Sequence, residues 1–363
     1  MKIQSDVALA DWCTLGVGGP ARWFCHANHE HDIVEALAWA RTRNVAVHVL
    51  GGGSNVVVAD EGFDGLVIHV DIRGVDRVAR DGRQIFSAGA GEPWDAFVAT
   101  TVEQECAGLE CLSGIPGLVG GTPVQNVGAY GQDVSGSISC VHVIDRETHN
   151  ALRLTADECG FGYRTSRFKH HERFIVSRVH FALAPNGGPT LAYADVTAFF
   201  EHAGNPSPSL AEMRDAILRI RRRKGMVIEE GNPAKRSVGS FFVNAIITRE
   251  HFDRLADGNK TDGTQIPHYP IGADGVKVPA AWLIERSGFP KGFTRGAIGV
   301  SPFQAQAIVN HGGARALDVL TLATDIKRAV WQAFDIAIVP EPVFVGFATS
   351  PDVEWLFDPQ PKP

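Results

Sequence analysis

The stretch VAVHVLGGGSNVVVAD, residues 45–60, decides the fold class. Val45, Val47 and Val49 alternate with Ala46 and His48, the period of a half-buried strand. Gly51–Gly53 follow, and then Val56–Val58, a β-branched run that again favours a strand. The order is strand, glycine loop, strand. A dinucleotide-binding βαβ unit needs strand, G-x-G-x-x-G and helix, so that a pyrophosphate rests on the helix N-terminus. Gly51 and Gly53 are present, but position 56 is valine and the next element is not a helix. Such a loop can still converge bare N–H groups on an anion as a nest. A doubly wound dinucleotide-binding fold is therefore disfavoured, and the whole chain reads as mixed α/β or α+β.

The flanks agree. Residues 32–44, DIVEALAWARTRN, carry apolar residues at 33, 34, 37, 38 and 40, a helical face with Asp32 as its N-cap. Residues 66–90 read as short strands turning at Gly74 and Gly82, and 92–106 as a helix. Residues 138–183 alternate again. SLAEMRDAILRIRRRK (209–224) gives an amphipathic helix through Met213, Ala216, Ile217 and Ile220. Beyond Gly225 the chain is loop-like to 237. Then VGSFFVNAI (238–246) reads as a strand, PAAWLIERSGF (279–289) as a short helix and FQAQAIVN (303–310) as a strand. ALDVLTLATDIKRAVWQAF (316–334) is a long helix, and IAIVPEPVFVG (336–346) a strand interrupted by prolines.

Composition sets the outer limits. The chain has 363 residues, 44% hydrophobic and 21% charged, room for two or three domains of ordinary globular character. A net charge of −7 speaks against a nucleic-acid partner, which selects a basic surplus. MKIQSDVALADWCTLGVGG has no apolar core of a secretory signal, and no run approaches the roughly 18 apolar residues that span a bilayer. A cytoplasmic protein with no membrane partner is expected, its oligomeric state open with a monomer favoured. Six cysteines form no C-x-x-C pair and no Cys/His set with zinc spacing, so reduced, mostly buried thiols and no metal are expected. His26, His29 and His31 read as solvated.

A second glycine-rich stretch, GIPGLVGGTPVQNVGAYGQ (114–132), holds six glycines and two prolines in nineteen residues. Glycine inside an element costs roughly 0.5–1 kcal/mol against alanine, so the stretch is not a regular element. Two glycine loops suit a ligand with a diphosphate and a flat ring; they also read as plain irregular connections.

Seven motifs then occur in order: TLGVGGPARWF (14–24), LGGGSNVVVAD (50–60), SGIPGLVGGTPVQNVGAYGQDV (113–134), YRTSRFK (163–169), GSFFVN (239–244), AAWLIERSGFPKG (280–292) and PEPVF (340–344). Together they resemble the UDP-N-acetylenolpyruvoylglucosamine reductases, which complete UDP-N-acetylmuramate for peptidoglycan. The resemblance runs from about residue 11 to 347. It implies an α+β fold: a two-subdomain FAD-binding fold of the vanillyl-alcohol-oxidase/PCMH type (1–74 and 75–225, with 343–363 packing back on the first) and a substrate-binding domain over 226–342. It implies FAD as cofactor and NADPH (or NADH) as hydride donor. The FAD diphosphate would meet Gly51, Gly52, Gly53, Ser54, Asn55, Ile115, Pro116, Gly117, Gly120 and Gly121, and the flavin side Gln125, Asn126, Gly128, Ala129 and Tyr130.

For catalysis the resemblance implies Arg164 at the substrate carboxylate, Ser240 as proton donor and Glu341 stabilising an enol. On residues alone Arg164 is also one more cation of a solvated face, and Ser240 any strand serine. Glu341 says more, because Pro340 and Pro342 fix its backbone. For the UDP-sugar the resemblance implies Tyr193, on a loop that closes over the substrate in one subtype, with Lys224, Asn244 and weakly Gln304. Ala245 stands where the family pattern has proline, and 225–238 is longer than that pattern. The five cations at 219 and 221–224 otherwise read as a helix C-terminus favoured by the dipole, with the rest solvated. An FAD-dependent oxidase would often tether flavin through His or Cys, and neither flanks Gly51–Asn55. A non-enzymatic nucleotide-sugar binder would need neither flavin nor the Ser–Arg–Glu set.

Overall fold

The computed structural model describes residues 1–169, 171–258, 265–347 and 351–359. The chain divides into two compact units. The first comprises Met1–Val7, Pro20–Ser54 and Phe63–Ile228; the second comprises Ala8–Gly19, Asn55–Gly62 and Glu229–Pro363.

The first unit holds two sheets. In one, Pro20–Ala27 and Ala46–Leu50 pair in parallel with Phe63–Val70 between them, and Ile3–Ala8 lies outside Pro20–Ala27. Phe63–Val70 is buried continuously from Gly65 onward, as a parallel strand covered on both faces must be. The helix Glu30–Thr42 buries Ile33, Ala36, Leu37 and Ala40, one stripe at helical spacing. It starts earlier than the sequence pattern suggests. His29 is the N-cap, and Asp32 sits one turn inside, accepting the N–H groups of Asn28 and His29 at 3.0 Å each. A carboxylate at that position satisfies two orphan donors at once, which is why the cap moves upstream.

The other sheet is antiparallel, in the order Ala151–Thr155, Ile138–Asp145, Phe174–Pro185, Arg83–Gly89, Val75–Arg80. Trp94 and Phe97, on the helix Trp94–Glu103, pack with Phe181, and Phe97 also meets Phe86. Trp94 donates its Nε1–H to the Leu112 carbonyl at 3.0 Å, which anchors the approach to the second glycine loop. The helix Leu210–Arg223 is capped by Ser209 and Glu212, each bonding back to the other's backbone N–H.

In the second unit the long helix Ala316–Phe334 occupies its expected span. Asp60 accepts the N–H groups of Ala316 and Leu317 at 2.8 and 3.1 Å, a remote carboxylate capping a helix start. Two small antiparallel sheets and a parallel pair, Val56–Val58 with Val343–Val345, complete the unit. Three expected strands are shorter than their sequence patterns. Only Ala245–Thr248 forms a ladder at the end of 238–246. Phe241 and Phe242 are both fully buried, so this segment does not alternate, and its backbone bonds go to two different neighbours, Gln306 and the 339–341 segment. Of 303–310 only Ile308–Asn310 is strand, and of 336–346 only Val343–Val345, because Pro340 and Pro342 lack the donor a ladder needs. The helices Ala194–His202, Arg249–Gly258 and Pro351–Phe357 were not anticipated. Within the expected tail 343–363, residues 348–350 and 360–363 lie outside the described residues.

Lys327 holds the last helix. It is fully buried, and its Nζ donates to the carbonyls of Trp355, Leu356 and Asp358 at 2.8, 2.8 and 2.5 Å. Lys327→Met leaves those carbonyls unsatisfied and is expected to cost about 2–4 kcal/mol, read as a lower midpoint in urea denaturation.

His48 gives a second expectation. Its Nε2 is buried with no partner, its ring packs edge-on against Phe63, and burial pushes its pKa down from 6.5 to about 4. The unfolded chain therefore takes the proton first, and stability present above pH 6.5 is lost as pH falls toward 4. In His48→Leu, melting temperature plotted against pH should fall less steeply across that window.

Candidate active site

The first unit brings the two glycine loops into contact. A Cβ on Gly52 would stand 2.8 Å from Gly117 Cα and 3.1 Å from Gly117 C. A Cβ on Gly117 would stand 2.7 Å from Ser54 Oγ, and Ser54 Oγ donates to the Pro116 carbonyl at 3.1 Å. Gly117 has φ +117°, which only glycine adopts readily, and Gly53 has φ +60°, a left-handed conformation that favours glycine. A Cβ on Gly120 would strike Ala90. By contrast, Cβ atoms on Gly51 and Gly121 would meet open space. Among the described residues, the N–H groups of Gly52, Gly53, Ser54, Ile115, Gly117 and Leu118 donate to no protein acceptor. The result is a cradle of bare donors whose two walls are locked together.

Downstream of it the chain is strained. Asn126, Tyr130 and Arg164 adopt positive φ (46°, 49° and 54°), three of ten such non-glycine residues among those described. Each costs of order 1–3 kcal/mol and needs surrounding structure to hold it. Asn126 Nδ2 donates to the Gly162 carbonyl at 3.1 Å, and its Oδ1 accepts Ser135 N–H at 3.1 Å. Gly162 and Thr165 close a tight turn around Arg164, and buried Lys169 donates to the Arg164 carbonyl at 3.1 Å. The half-buried Arg164 side chain donates from Nη2 to the Gly128 carbonyl at 2.5 Å. Gly128–Ala129 pair with Gln132–Asp133, so Tyr130 and Gly131, both at positive φ, form the two-residue turn a hairpin favours.

That turn presents Tyr130 to a second cluster. The Tyr130 and Tyr193 rings meet edge-to-face at 5.4 Å, and Lys224 Nζ lies 5.5 Å from the Tyr130 centroid. Lys224 caps the helix Leu210–Arg223 and donates to Asp195 Oδ2 at 2.7 Å. Desolvation pulls its pKa down, but the hydrogen bond and charge of Asp195, with Tyr130 and Tyr193, outweigh it and leave the pKa above the ordinary lysine value. Arg221 corrects the view of the cation run as a dipole-favoured, solvated end. It is buried, bonds the Met226 carbonyl at 3.0 Å, and has an Nε without a partner. Burial pushes its guanidinium below the ordinary arginine pKa, and Tyr130 and Asp95 oppose that. Arg219, Arg222 and Arg223 are exposed. Arg221 lies four residues after Ile217 and eight after Met213, so it shares the apolar stripe. A charge at a core position was the available signal.

The second unit carries the other candidates. Glu341 N–H donates to the Phe241 carbonyl at 2.8 Å, and Phe242 bridges Pro340, so the Ser240 and Glu341 backbones run side by side. Both side chains are half-buried. Asn55 Nδ2 donates to the Glu341 carbonyl at 3.4 Å. Asn244 spends its Oδ1 on the Ala280 N–H at 3.0 Å and on Gln306 Nε2 at 3.3 Å. Gln304 donates to Gln306 Oε1 at 3.3 Å, and its own Oε1 is buried with no partner. Gln306, which the sequence did not single out, ties Asn244, Gln304 and the Phe242 carbonyl together.

Comparison with known proteins gives this geometry a family. The chain matches the family model for the UDP-N-acetylenolpyruvoylglucosamine reductase C-terminal domain over residues 232–345 and that for an FAD-binding domain over 21–146. It is 43% identical to the UDP-N-acetylenolpyruvoylglucosamine reductase of Thermobifida fusca over 94% of this chain and 97% of the relative. It is also 43% identical to that of Salinispora arenicola over 95% and 96%. The chain belongs to the UDP-N-acetylenolpyruvoylglucosamine reductase family. A crystal structure of the reductase from Thermus caldophilus, 24% identical, shares the fold with a TM-score of 0.64 over 95% of this chain and 99% of that one.

As a member of that family the protein is an FAD-dependent oxidoreductase. The residues present fit the cofactor: two walls of glycine backbone that a Cβ would fill, with unspent N–H groups, suit a pyrophosphate. Gly52→Ala inserts a methyl group against Gly117 backbone and is expected to weaken FAD binding roughly 10- to 100-fold, since such overpacking costs about 1–3 kcal/mol. Fluorescence titration of the apoprotein with FAD measures it.

Proposed function

We propose that the protein reduces UDP-N-acetylglucosamine enolpyruvate to UDP-N-acetylmuramate, with NADPH as the hydride source, in peptidoglycan precursor synthesis in the cytoplasm. FAD, held by the glycine walls Gly51–Ser54 and Ile115–Gly121, would supply the hydride relay between NADPH and C3 of the enolpyruvyl group. The chain's residues then manage charge and protons. Hydride arrival at C3 drives negative charge through C2 into the carboxylate. Arg164 meets that carboxylate, because a planar guanidinium offers two parallel donors to two oxygens. Its strained backbone and its bond to Gly128 support a preset orientation.

Ser240 donates a proton to C2, so that one hydride and one proton add across the double bond. A serine hydroxyl is a weak acid, and it suffices here only because C2 is strongly basic at that moment; water then restores its proton. Glu341 hydrogen-bonds the enol as it forms. The observation that carries this assignment is the backbone pairing of Phe241 with Glu341, which lays the serine and the glutamate on adjacent strands of chain. Lys224 and Tyr193 bind the UDP diphosphate, in the manner of the subtype with a tyrosine loop, and Asn244 and Gln304 complete the substrate contacts. The Asp195 and Tyr130 contacts keep Lys224 charged for that task.

Ser240→Ala tests the proton-donor role. Anaerobic flavin reduction by NADPH should stay within about twofold of wild type, while reoxidation by the enolpyruvyl substrate slows by about 10²–10⁴, the usual worth of a positioned acid. Equal loss in both half-reactions contradicts the assignment.

A further inference from the structure

Spacing along the chain offers no metal set, but the antiparallel sheet of the first unit assembles one. Cys140 and His142 are two residues apart on the strand Ile138–Asp145 and so share a face. His180, on Phe174–Pro185, is the registered cross-strand partner of Cys140. One ligand atom from each of Cys140, His142 and His180 lies within 4.8 Å of the others. The two imidazole rings are 4.6 Å apart, centroid to centroid. We propose that Cys140, His142 and His180 bind one thiophilic metal ion, Zn²⁺ or Cu⁺, with a fourth position left for solvent.

The donor set suits such an ion. Thiolate with imidazole selects zinc and cuprous copper over hard cations. Bonds of roughly 2.0–2.3 Å to one ion need ligand atoms that converge, and these three lie within 4.8 Å of one another. Two of the three ligands also have an outer partner, as metal ligands usually do. Arg153 Nε donates to Cys140 Sγ at 3.1 Å. Ser87 Oγ lies 3.4 Å from His180 Nε2, which leaves Nδ1 as the ligating atom. Burial, with His142, Arg178 and Arg153 nearby, pushes the His180 pKa down to about 4. Burial lowers that of His142 too, with Glu30 opposing. Arg153 and Arg178 oppose a cation, but the thiolate offsets one charge and Asp76 pairs Arg178 at 3.4 Å.

A competing cluster exists on the surface. His29, His31 and Asp32 also hold ligand atoms within 4.8 Å, yet both histidines are largely exposed and no sulfur is present. That difference makes the two sites separable by spectroscopy.

The test uses the full-length, FAD-loaded protein, stripped of metal by a chelator and titrated with Co²⁺. One equivalent should bind and give a thiolate-to-cobalt charge-transfer band, which Zn²⁺ then displaces; Cu⁺ titrated against a chromophoric competitor should bind with the same stoichiometry. Cys140→Ser should abolish the charge-transfer band, and His142→Gln should weaken binding at least tenfold. Cys25→Ser and His31→Gln should leave both unchanged. Absence of the band in the wild type overturns the proposal, as does a band that survives in Cys140→Ser or disappears in His31→Gln. If Cys140→Ser does not fold, the half-exposed His142→Gln decides: unweakened binding there overturns the site.

Discussion

The approach of Gly52 to Gly117 is the constraint on which the cofactor half depends. Two chain segments sixty-five residues apart in sequence touch backbone to backbone at a spacing that no side chain permits. Glycine at both positions carries an entropic penalty in the unfolded chain. What the fold gains is a rigid pair of walls, fixed further by the bond from Ser54 to the Pro116 carbonyl. Because the N–H groups lining it are not spent on protein acceptors, the cradle holds its donors ready for an anion at little reorganisation cost. Trp94 and its hydrogen bond to Leu112 hold the second wall from behind, so the hydrophobic core sets the position of the loop.

A similar logic fixes Glu341. Pro340 and Pro342 have no N–H, so among residues 340–342 Glu341 alone can donate from the main chain. That donor goes to the Phe241 carbonyl, and one residue of slip would place a proline there and lose the bond. The prolines that shorten the strand thus set its register. On either side, the Val243 N–H reaches the Val339 carbonyl and the Val343 N–H the Asn55 carbonyl. A glutamate flanked in this way has little backbone freedom, which suits the enol-stabilising role proposed for it.

Local patterns were legible in the sequence wherever one element buries one face. The helix Ala316–Phe334, the capped helix Leu210–Arg223 and the strand–glycine–strand order around Gly51–Gly53 all follow from periodicity and capping chemistry. The candidate residues were legible through motif order, but their neighbourhoods were not. Periodicity cannot show that Gly52 meets Gly117, that Lys224 lies over Tyr130, or that Cys140 faces His180, because each contact is made by tertiary register. Strand lengths failed where both faces were buried, as at Phe241 and Phe242, since alternation is then absent. Arg221 shows the converse: its place on the apolar stripe was visible, and the helix-dipole reading of the cation run obscured it.

Arg221 also shows how the site is stiffened. A buried guanidinium with one unpartnered N–H is costly unless something repays it. Its neighbours are the Tyr130 hydroxyl, the Asp95 carboxylate and the Met226 carbonyl. Asp95 in turn binds Arg214 through both oxygens, at 2.6 and 2.8 Å, and accepts Gly114 N–H at 2.5 Å, where the second glycine loop begins. Gly114 has φ +72°, and a Cβ there would press on Leu218 and Arg221. The charge is therefore retained where it ties the start of the glycine loop, the end of the helix and the strained Tyr130 turn into one network. Strain at Tyr130, Asn126 and Arg164 is tolerated because neighbours of this kind over-determine it.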